Sequence, residues 1–153
     1  MVKYKELSKE HIREIAEIYV DAFNSEPWND KWTIESASKR ISQMINCEGF
    51  DGLVAYDDDK LIGMILGNHE YYYDAMLFQI KEFCVDVKVK GTGIGTKLID
   101  EFTNRLKSKG IDRIVLLTAK SDLTEGFYKK HGFESFESMV MMGKEISIFD
   151  GPK

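Results

Sequence analysis

The sequence predicts a mixed α/β fold, in which helices cover both faces of a central sheet. Three patterns predict it: an antiparallel hairpin signal, helices with one apolar face, and a βαβ unit in the second half of the chain. The chain has 153 residues, 43% of them hydrophobic, which suits one domain with a full core. Because no repeat or linker interrupts it, we expect residues 1–153 to form a single domain.

The first half of the chain predicts a strand, two helices and a hairpin. Residues 2–7 alternate apolar and charged side chains, as a half-buried strand does. Apolar residues at helical spacing cover residues 9–24, and a second such stretch begins after Thr33. Two apolar runs, 52–56 and 61–66, flank a short polar turn. This arrangement indicates an antiparallel hairpin.

The second half predicts a βαβ unit followed by a short helix and a tail. Residues 76–87 are a strand candidate, and apolar side chains at helical spacing predict a long helix from Ile94 to Leu106. The continuous apolar run 114–118 is typical of a strand buried on both faces, parallel to the preceding one. Residues 123–131 predict a helix. The tail, residues 133–148, alternates weakly and is expected to close the sheet.

Charge and composition exclude several classes of function. The formal net charge of -5 leaves no basic excess for a nucleic-acid backbone, and no apolar run approaches the roughly 20 residues of a membrane span. Two cysteines and three histidines lack the spacing of a disulfide framework or a metal site. We therefore expect a cytoplasmic protein without metal, nucleic-acid partner or membrane association. The negative net charge mildly favours a cationic small molecule as the substrate.

The segment Lys90-Gly91-Thr92-Gly93-Ile94-Gly95 joins a predicted strand to a predicted helix. Glycines there permit close approach to backbone amides and to the positive helix terminus, which is how proteins bind phosphate groups. A P-loop requires a glycine where Thr96 stands, and the dinucleotide fingerprint fails at the same residue. A glycine cluster can also be only a tight turn. The residues alone leave both interpretations open.

This turn resembles the pyrophosphate motif of the GNAT superfamily of acyl-CoA-dependent acyltransferases, (Arg/Gln)-x-x-Gly-x-(Gly/Ala). Residues 82–86 resemble the family strand that ends beside the thioester, and residues 127–133, FYKKHGF, resemble its Tyr-x-x-x-Gly-Phe segment. The resemblance spans about residues 76–136. Two positions depart from it. Lys90 replaces the usual arginine or glutamine, which loses the bidentate fork, and Val87 stands where proline is common.

The resemblance implies an N-acetyltransferase that moves an acetyl group from acetyl-CoA to a primary amine, in a mostly antiparallel sheet of about six to seven strands. It also implies that the strand splays from its parallel neighbour at Cys84 and Val85, so that backbone amides contact the thioester. A homodimer is a further expectation. The residues expected to bind acetyl-CoA are Cys84, Val85, Lys90, Gly91, Thr92, Gly93, Ile94, Gly95, Thr96, Phe127 and Lys130.

Two side chains are expected to be catalytic. An alkyl amine with a pKa near about 10.4 must lose a proton before it attacks, and Glu82 is the candidate base, directly or through a water. Tyr128 corresponds to the family tyrosine that protonates the departing thiolate, and a phenol with a pKa near about 10 is a suitable donor. The alternatives are that Tyr128 only packs its helix on the sheet, and that Cys84 carries the acetyl group. A buried structural role is preferred for Cys84.

The acceptor is predicted to be a small cationic amine, such as a polyamine or an aminoglycoside-like molecule. The family uses the region between the first two helices for acceptors, and aromatic rings with carboxylates suit a cation. The tryptophans and tyrosines could instead be packing or subunit contacts, and protein amines remain an alternative acceptor. A non-catalytic CoA sensor and a partner-binding protein with a decayed site are the competing functions. The expected acceptor residues are Trp28, Asp30, Trp32, Glu70 and Tyr72.

Overall fold

The computed structural model describes residues 1–147. The chain divides into two compact units, Met1–Leu117 and Thr118–Lys153. The first unit holds the sheet and three α-helices, and the second holds a fourth.

The sheet of the first unit has the spatial order β1-β2-β3-β4-β5. The first three pairings are antiparallel and β4 pairs with β5 in parallel, so the mixed α/β prediction is confirmed. The strands are β1 (Val2–Glu6), β2 (Phe50–Asp57), β3 (Lys60–Tyr71), β4 (Met76–Val85) and β5 (Arg113–Leu116). The helices are α1 (Ile12–Phe23), α2 (Ile34–Ile45), α3 (Ile94–Ser108) and, in the second unit, α4 (Asp122–Lys130).

The predicted count of six to seven strands is wrong for the described residues, which form five. Residues 133–147 contain no strand. Their sequence explains the error, because residues 139–142 are a continuous apolar run and not a true alternation, and all four side chains are exposed. Without a buried face, nothing fixes the register of a strand. Residue 148, the end of the predicted tail, lies outside the described residues.

Helices pack on both faces of the sheet. On one face, α1 and α2 share an apolar core with Val54, Met64 and Leu66. On the other face lies α3, where the rings of Phe78 and Phe102 meet edge to face with their centroids 5.3 Å apart. Because neighbouring residues of a strand point to opposite faces, the same sheet supplies side chains to both contacts.

A β-bulge interrupts the pairing of β3 with β4. Leu66 pairs with Glu82, whereas the next residue, Gly67, pairs with Ile80, so Lys81 is an extra residue on β4. A Cβ atom on Gly67 would overlap the Gln79 carbonyl oxygen, so only glycine fits here. Glycine is what a close backbone approach at a bulge requires.

The bulge decides which face of the sheet receives Glu82. In an uninterrupted strand Phe78 and Glu82 would lie on the same face, since side chains repeat every two residues. Phe78 packs on α3, but Glu82 hydrogen-bonds to Tyr19 of α1. The extra residue therefore turns the carboxylate toward α1 and α2.

In the second unit, α4 begins after Ser121, whose hydroxyl accepts a hydrogen bond from the Thr124 amide at 3.2 Å. It ends in a Schellman motif, in which Gly132 has φ 88° and the Phe133 amide donates to the Tyr128 carbonyl at 3.1 Å. The rings of Tyr128 and Phe133 pack 5.5 Å apart. The FYKKHGF segment is thus a helix C-terminus with Tyr128 in its last turn.

Candidate active site

Two side chains from separate helices, Tyr19 and Arg40, meet at Glu82. The Glu82 Oε1 atom accepts a hydrogen bond from the Arg40 Nε at 2.7 Å and another from the Tyr19 hydroxyl at 3.1 Å. Glu82 is only 8% exposed, whereas the Arg40 side chain is 42% exposed. We call Tyr19, Arg40 and Glu82 the carboxylate cluster. It joins α1, α2 and β4 at one buried carboxyl group.

The environment raises the pKa of Glu82 above its ordinary value. Burial is the dominant cause, and the hydrogen bonds and charge from Arg40 and Tyr19 oppose it without cancelling it. Burial also raises the pKa of Tyr19, next to the Glu82 carboxylate, so the phenol stays protonated as a donor. A carboxyl group with a raised pKa is better matched to proton transfer near neutrality than a solvated one.

The second carboxylate oxygen of Glu82 is available. Within residues 1–147, all hydrogen bonds of this side chain end on Oε1, and no side-chain polar atom sealed from solvent there lacks a partner. Oε2 is therefore not sealed from solvent. A carboxylate with one oxygen held and the other open is suited to accept a proton.

The loop between α1 and α2 is fastened to this cluster by Trp32. Its indole edge meets the Tyr19 ring at 5.2 Å, and the Arg40 guanidinium lies 5.8 Å from the indole centroid. The Trp32 Nε1 donates to the Asp30 carboxylate at 3.0 Å, and the Asn24 side chain bonds both the amide and the carbonyl of Trp32. Two of the expected acceptor residues, Asp30 and Trp32, thus lie near Glu82.

Trp28 is the outer member of the same aromatic group. Its ring lies 5.8 Å from Phe23, which in turn lies 4.6 Å from Tyr19. The Trp28 side chain is 38% exposed. The loop thus joins α1 to α2 and also presents an exposed aromatic face near the carboxylate cluster.

Glu70 and Tyr72 occupy a different place. Glu70 pairs with Leu77, five residues before Glu82 on β4, which corresponds to roughly 16 Å along a strand. The structure therefore does not bring these two residues together with Trp32. They line a separate cavity of about 240 Å³, formed by Glu70, Tyr71, Tyr72, Leu77, Gln79 and Val115.

The parallel pairing of β4 with β5 ends early. Its last pair is Ile80 with Leu116, while β4 continues to Val85. The β4–β5 ladder therefore stops before residues 81–85. Cys84 is buried in the core shared with α1 and α2, and burial raises the pKa of its thiol, which disfavours the thiolate form.

Asp86 anchors the start of the glycine turn. Its amide donates to the Ile62 carbonyl at 2.7 Å, and its carboxylate accepts from the Lys88 amide at 2.9 Å and pairs with the Lys60 ammonium at 3.2 Å. Burial alone would raise the pKa of Asp86, but these partners outweigh it and lower the pKa. The carboxylate thus stays charged and holds a short 3₁₀ turn, Val87–Val89, against β3.

The turn itself is open and exposes unpaired main-chain amides. Gly91 and Gly93 have φ values of 85° and 87°, which favour glycine, and a Cβ at either position would meet no atom within 4 Å. Gly93 is the N-cap of α3. Within residues 1–147, the amides of Gly91, Gly93, Ile94 and Gly95 donate no hydrogen bond to the protein. An open surface of unpaired amides at a helix N-terminus suits an anion.

Six more of the expected site residues fall into two groups. Three belong to the turn and are exposed, and three lie on α4 in the second unit. Lys90, Thr92 and Thr96 are at the surface, and the Thr92 amide donates to the Val89 carbonyl at 3.2 Å. On α4, the Phe127 ring packs 5.3 Å from Tyr128, and Lys130 is exposed in the last turn. The roles expected for these residues stay predictions.

A family model for the acetyltransferase (GNAT) domain matches residues 48–135 of the chain. This is more than half of its 153 residues. The chain belongs to the GNAT acetyltransferases. It is therefore an acyltransferase, as the sequence predicts.

Two curated relatives share parts of this GNAT chain. The uncharacterized protein YxbD of Bacillus subtilis is 26% identical over 116 residues, which are 74% of this chain and 66% of YxbD. N-alpha-acetyltransferase 30 of Schizosaccharomyces pombe is 32% identical over 88 residues, which are 52% of this chain and 55% of that protein. The matches thus leave at least a third of each relative uncovered.

Two solved structures show the same fold. A possible acetyltransferase from Clostridium difficile 630 superposes with a TM-score of 0.81 at 16% identity, covering 97% of this chain and 99% of that one. An aminoglycoside acetyltransferase, meta-AAC0020, from an uncultured soil metagenomic sample, solved with sisomicin, has a TM-score of 0.73 at 19% identity, covering 95% and 97%. At these identities the likeness concerns the fold alone.

Residues 1–147 hold neither a candidate metal site nor a candidate membrane span. No group of three or more His, Cys, Asp or Glu residues within 1–147 is placed to hold a metal ion. None of the helices in this part of the chain combines the length and the apolar character of a membrane span.

Sequence reasoning missed Tyr19 and Arg40 as parts of the site. Tyr19 follows the apolar spacing of α1 and so resembles an ordinary core residue, and it is indeed buried. Arg40 lies next to Ile41 and three residues after Ala37, both buried in α2. An arginine at the edge of an apolar helix face, with a carboxylate predicted on a facing strand, is the one signal that could have revealed the pair.

Proposed function

We propose that this GNAT protein transfers the acetyl group of acetyl-CoA directly to a primary amine. One observation carries the proposal: a buried carboxylate with one open oxygen lies on the strand that leads into an anion-binding turn. Glu82 and the turn at Gly91 to Gly95 are separated by only a few residues of β4 and the 3₁₀ turn. A proton acceptor and a phosphate site are thus adjacent along one element.

The chemistry assigns a task to each residue. Acetyl-CoA supplies the thioester when bound, and the amides of Gly91, Gly93, Ile94 and Gly95 would hold its pyrophosphate. The Glu82 Oε2 takes the proton of the acceptor ammonium, directly or through a water, so that the free amine forms the new C–N bond as the C–S bond breaks. Tyr128 gives its proton to the departing thiolate, as the family resemblance implies. The second proton that the amine nitrogen loses as the amide forms returns to the Tyr128 phenolate, directly or through water.

The acceptor we favour is a small cationic amine, such as a polyamine or an aminoglycoside. The exposed face of Trp28 and the indole of Trp32 beside Asp30 combine aromatic rings with a carboxylate, which attract cations. The net charge of -5 acts in the same direction. The sisomicin complex of a structure with the same fold supports this acceptor class.

A protein N-terminus is the second candidate acceptor. It is favoured by the 32% identity with N-alpha-acetyltransferase 30 over 88 residues. An α-amine, with a pKa near about 8, loses its proton more readily than an alkyl amine. This acceptor would depend less on Glu82.

Thiol release from acetyl-CoA is the experiment that tests the proposal. The purified protein is incubated with acetyl-CoA and a panel of polyamines, aminoglycosides and short peptides with free N-termini, and free thiol is followed over time. We expect release with at least one cationic amine, and a loss of about tenfold or more in Tyr128→Phe. Binding of acetyl-CoA without thiol release over the whole panel would instead indicate a CoA sensor. The cytoplasmic location, the single domain, the homodimer and the lack of a metal stay predictions.

A further inference from the structure

Arg40 is the member of the carboxylate cluster to which the proposed reaction assigns no task. It lies on α2, and its Nε donates to the Glu82 Oε1 at 2.7 Å. The side chain is 42% exposed, and Tyr19 is a further polar neighbour of its guanidinium. An arginine that donates a short hydrogen bond to a buried carboxylate stabilises the charged form of that carboxylate.

The geometry fixes the orientation of the carboxylate. Arg40 from α2 and the Tyr19 hydroxyl from α1 donate to the same atom, Oε1. Rotation of the Glu82 carboxyl group would break both hydrogen bonds at once. Oε2 is consequently held toward the open side of the cluster.

Trp32 couples this orientation to the acceptor loop. One indole contacts both donors, with the Arg40 guanidinium 5.8 Å from its centroid and the Tyr19 ring at 5.2 Å. The indole donates to Asp30, and Asn24 holds the main chain of Trp32. A movement of the loop would therefore displace the groups that position Glu82.

We propose that Arg40 is a positioning residue for acceptor deprotonation, which holds Oε1 of Glu82 so that Oε2 is presented to the acceptor amine. Through Trp32, this arrangement depends on the conformation of the loop between α1 and α2. The proposal rests on the proposed function of Glu82 as the proton acceptor. Arg40 itself does not touch the reacting atoms.

The charges around Glu82 determine the effect of pH. Tyr19 approaches from α1, Arg40 from α2, Asp30 from the loop, and Cys84 from β4 itself. Burial and the Asp30 charge raise the pKa of Glu82, while Arg40 and Tyr19 lower it. Removing Arg40 thus raises this pKa, so the ionised form is lost at a higher pH. The acid limb of kcat/KM must then move upward in pH.

The test compares Arg40→Met and Arg40→Lys with wild type in thiol-release assays across pH. We expect R40M to lower kcat about tenfold or more at pH 7, with the KM for acetyl-CoA unchanged, and to move the acid limb up by about one pH unit. R40K keeps the charge and should leave the limb near its wild-type position while recovering part of kcat. The matched control is Arg13→Met, at an exposed i,i+4 pair with Glu17 on α1, which should change neither parameter.

The double variant R40M/E82Q separates positioning from general stabilisation. If Arg40 acts through Glu82, R40M causes no further loss of kcat in the E82Q background. Turnover by the wild type, loss of kcat in E82Q and an unshifted pH profile in R40M would overturn this inference alone. If R40M does not fold, R40K decides, since wild-type kcat in R40K would also overturn it. A wild type that acetylates no amine overturns the proposed function and this inference together.

Discussion

The glycine turn and the carboxylate cluster are built in opposite ways. The turn uses consecutive backbone amides, placed by the positive φ angles of Gly91 and Gly93. The cluster uses side chains from three elements, and Tyr19 and Glu82 are 63 positions apart in the chain. A local main-chain site can be recognised in a sequence, whereas a convergence of distant side chains depends on packing. We expect this division also to separate donor binding from acceptor chemistry.

The largest expected effect is that of Glu82→Gln, which keeps the shape of the side chain but removes the proton acceptor. We expect kcat to fall by about 10² to 10⁴, while the KM for acetyl-CoA stays the same because the turn is intact. Steady-state kinetics of thiol release measures both. Glu17→Gln, at an exposed position on α1, is the control. A kcat of E82Q within twofold of wild type would contradict the assignment of Glu82 as the proton acceptor.

Gly67→Ala should disrupt the β-bulge that turns Glu82 toward α1 and α2. The new Cβ would overlap the Gln79 carbonyl oxygen, and backbone cannot move aside without disturbing the bulge. We expect a loss of about 2 kcal/mol or more in the free energy of unfolding, measured by urea denaturation. Gly126→Ala on α4, where a Cβ meets nothing within 4 Å, should not destabilise. Equal stability of G67A and wild type would refute this role of the bulge.

Gly93→Asp and Gly93→Asn form a matched pair at the turn. Both residues tolerate positive φ better than other side chains, but aspartate adds a negative charge where a phosphate would bind. We expect the KM for acetyl-CoA to rise about tenfold more in G93D than in G93N, with kcat less affected. Calorimetric titration with CoA gives an independent reading. If the two variants bind CoA equally, the phosphate does not lie at this turn.

The smallest effect is expected for Tyr19→Phe. The Tyr19 hydrogen bond lowers the pKa of Glu82, but it contributes less than Arg40 does. Its removal raises this pKa, so the acid limb of kcat/KM should move upward by less than about one pH unit. The pH profile measures the shift. A shift to lower pH would contradict the arrangement of donors around Oε1.

The sequence predicts most of the fold because its periodicities are strong. The order of strands and helices up to β5 is confirmed, including the parallel pairing of β4 with β5. Residues 133–147 of the tail do not form the predicted strand, because their methionine and valine residues are consecutive and do not alternate with polar ones. The bulge at Lys81 was not predicted either, since an extra residue changes the face of Glu82 without altering the local pattern.

The expected acceptor residues show the same limit, because some of them lie beside Glu82 and others do not. The aromatic ring of Trp32 and its place in the loop predict a contact with the acceptor, and the indole does pack on Tyr19 and Arg40, the two partners of Glu82. The carboxylate of Glu70 beside aromatic residues predicts the same, but Glu70 lies at the far end of the β3 and β4 pairing. Composition identifies residues capable of binding a cation, but only the strand register determines which of them are neighbours.

The central claim is that one end of β4 serves both substrates, with the turn binding the donor and Glu82 accepting the proton. Its most direct test is the full kinetic comparison of wild type, E82Q and G93D with one acetyl-accepting amine. The account predicts that E82Q lowers kcat and leaves the KM for acetyl-CoA unchanged, while G93D mainly raises that KM. If both variants changed the same parameter, or neither changed any, the division between donor turn and carboxylate cluster would be contradicted.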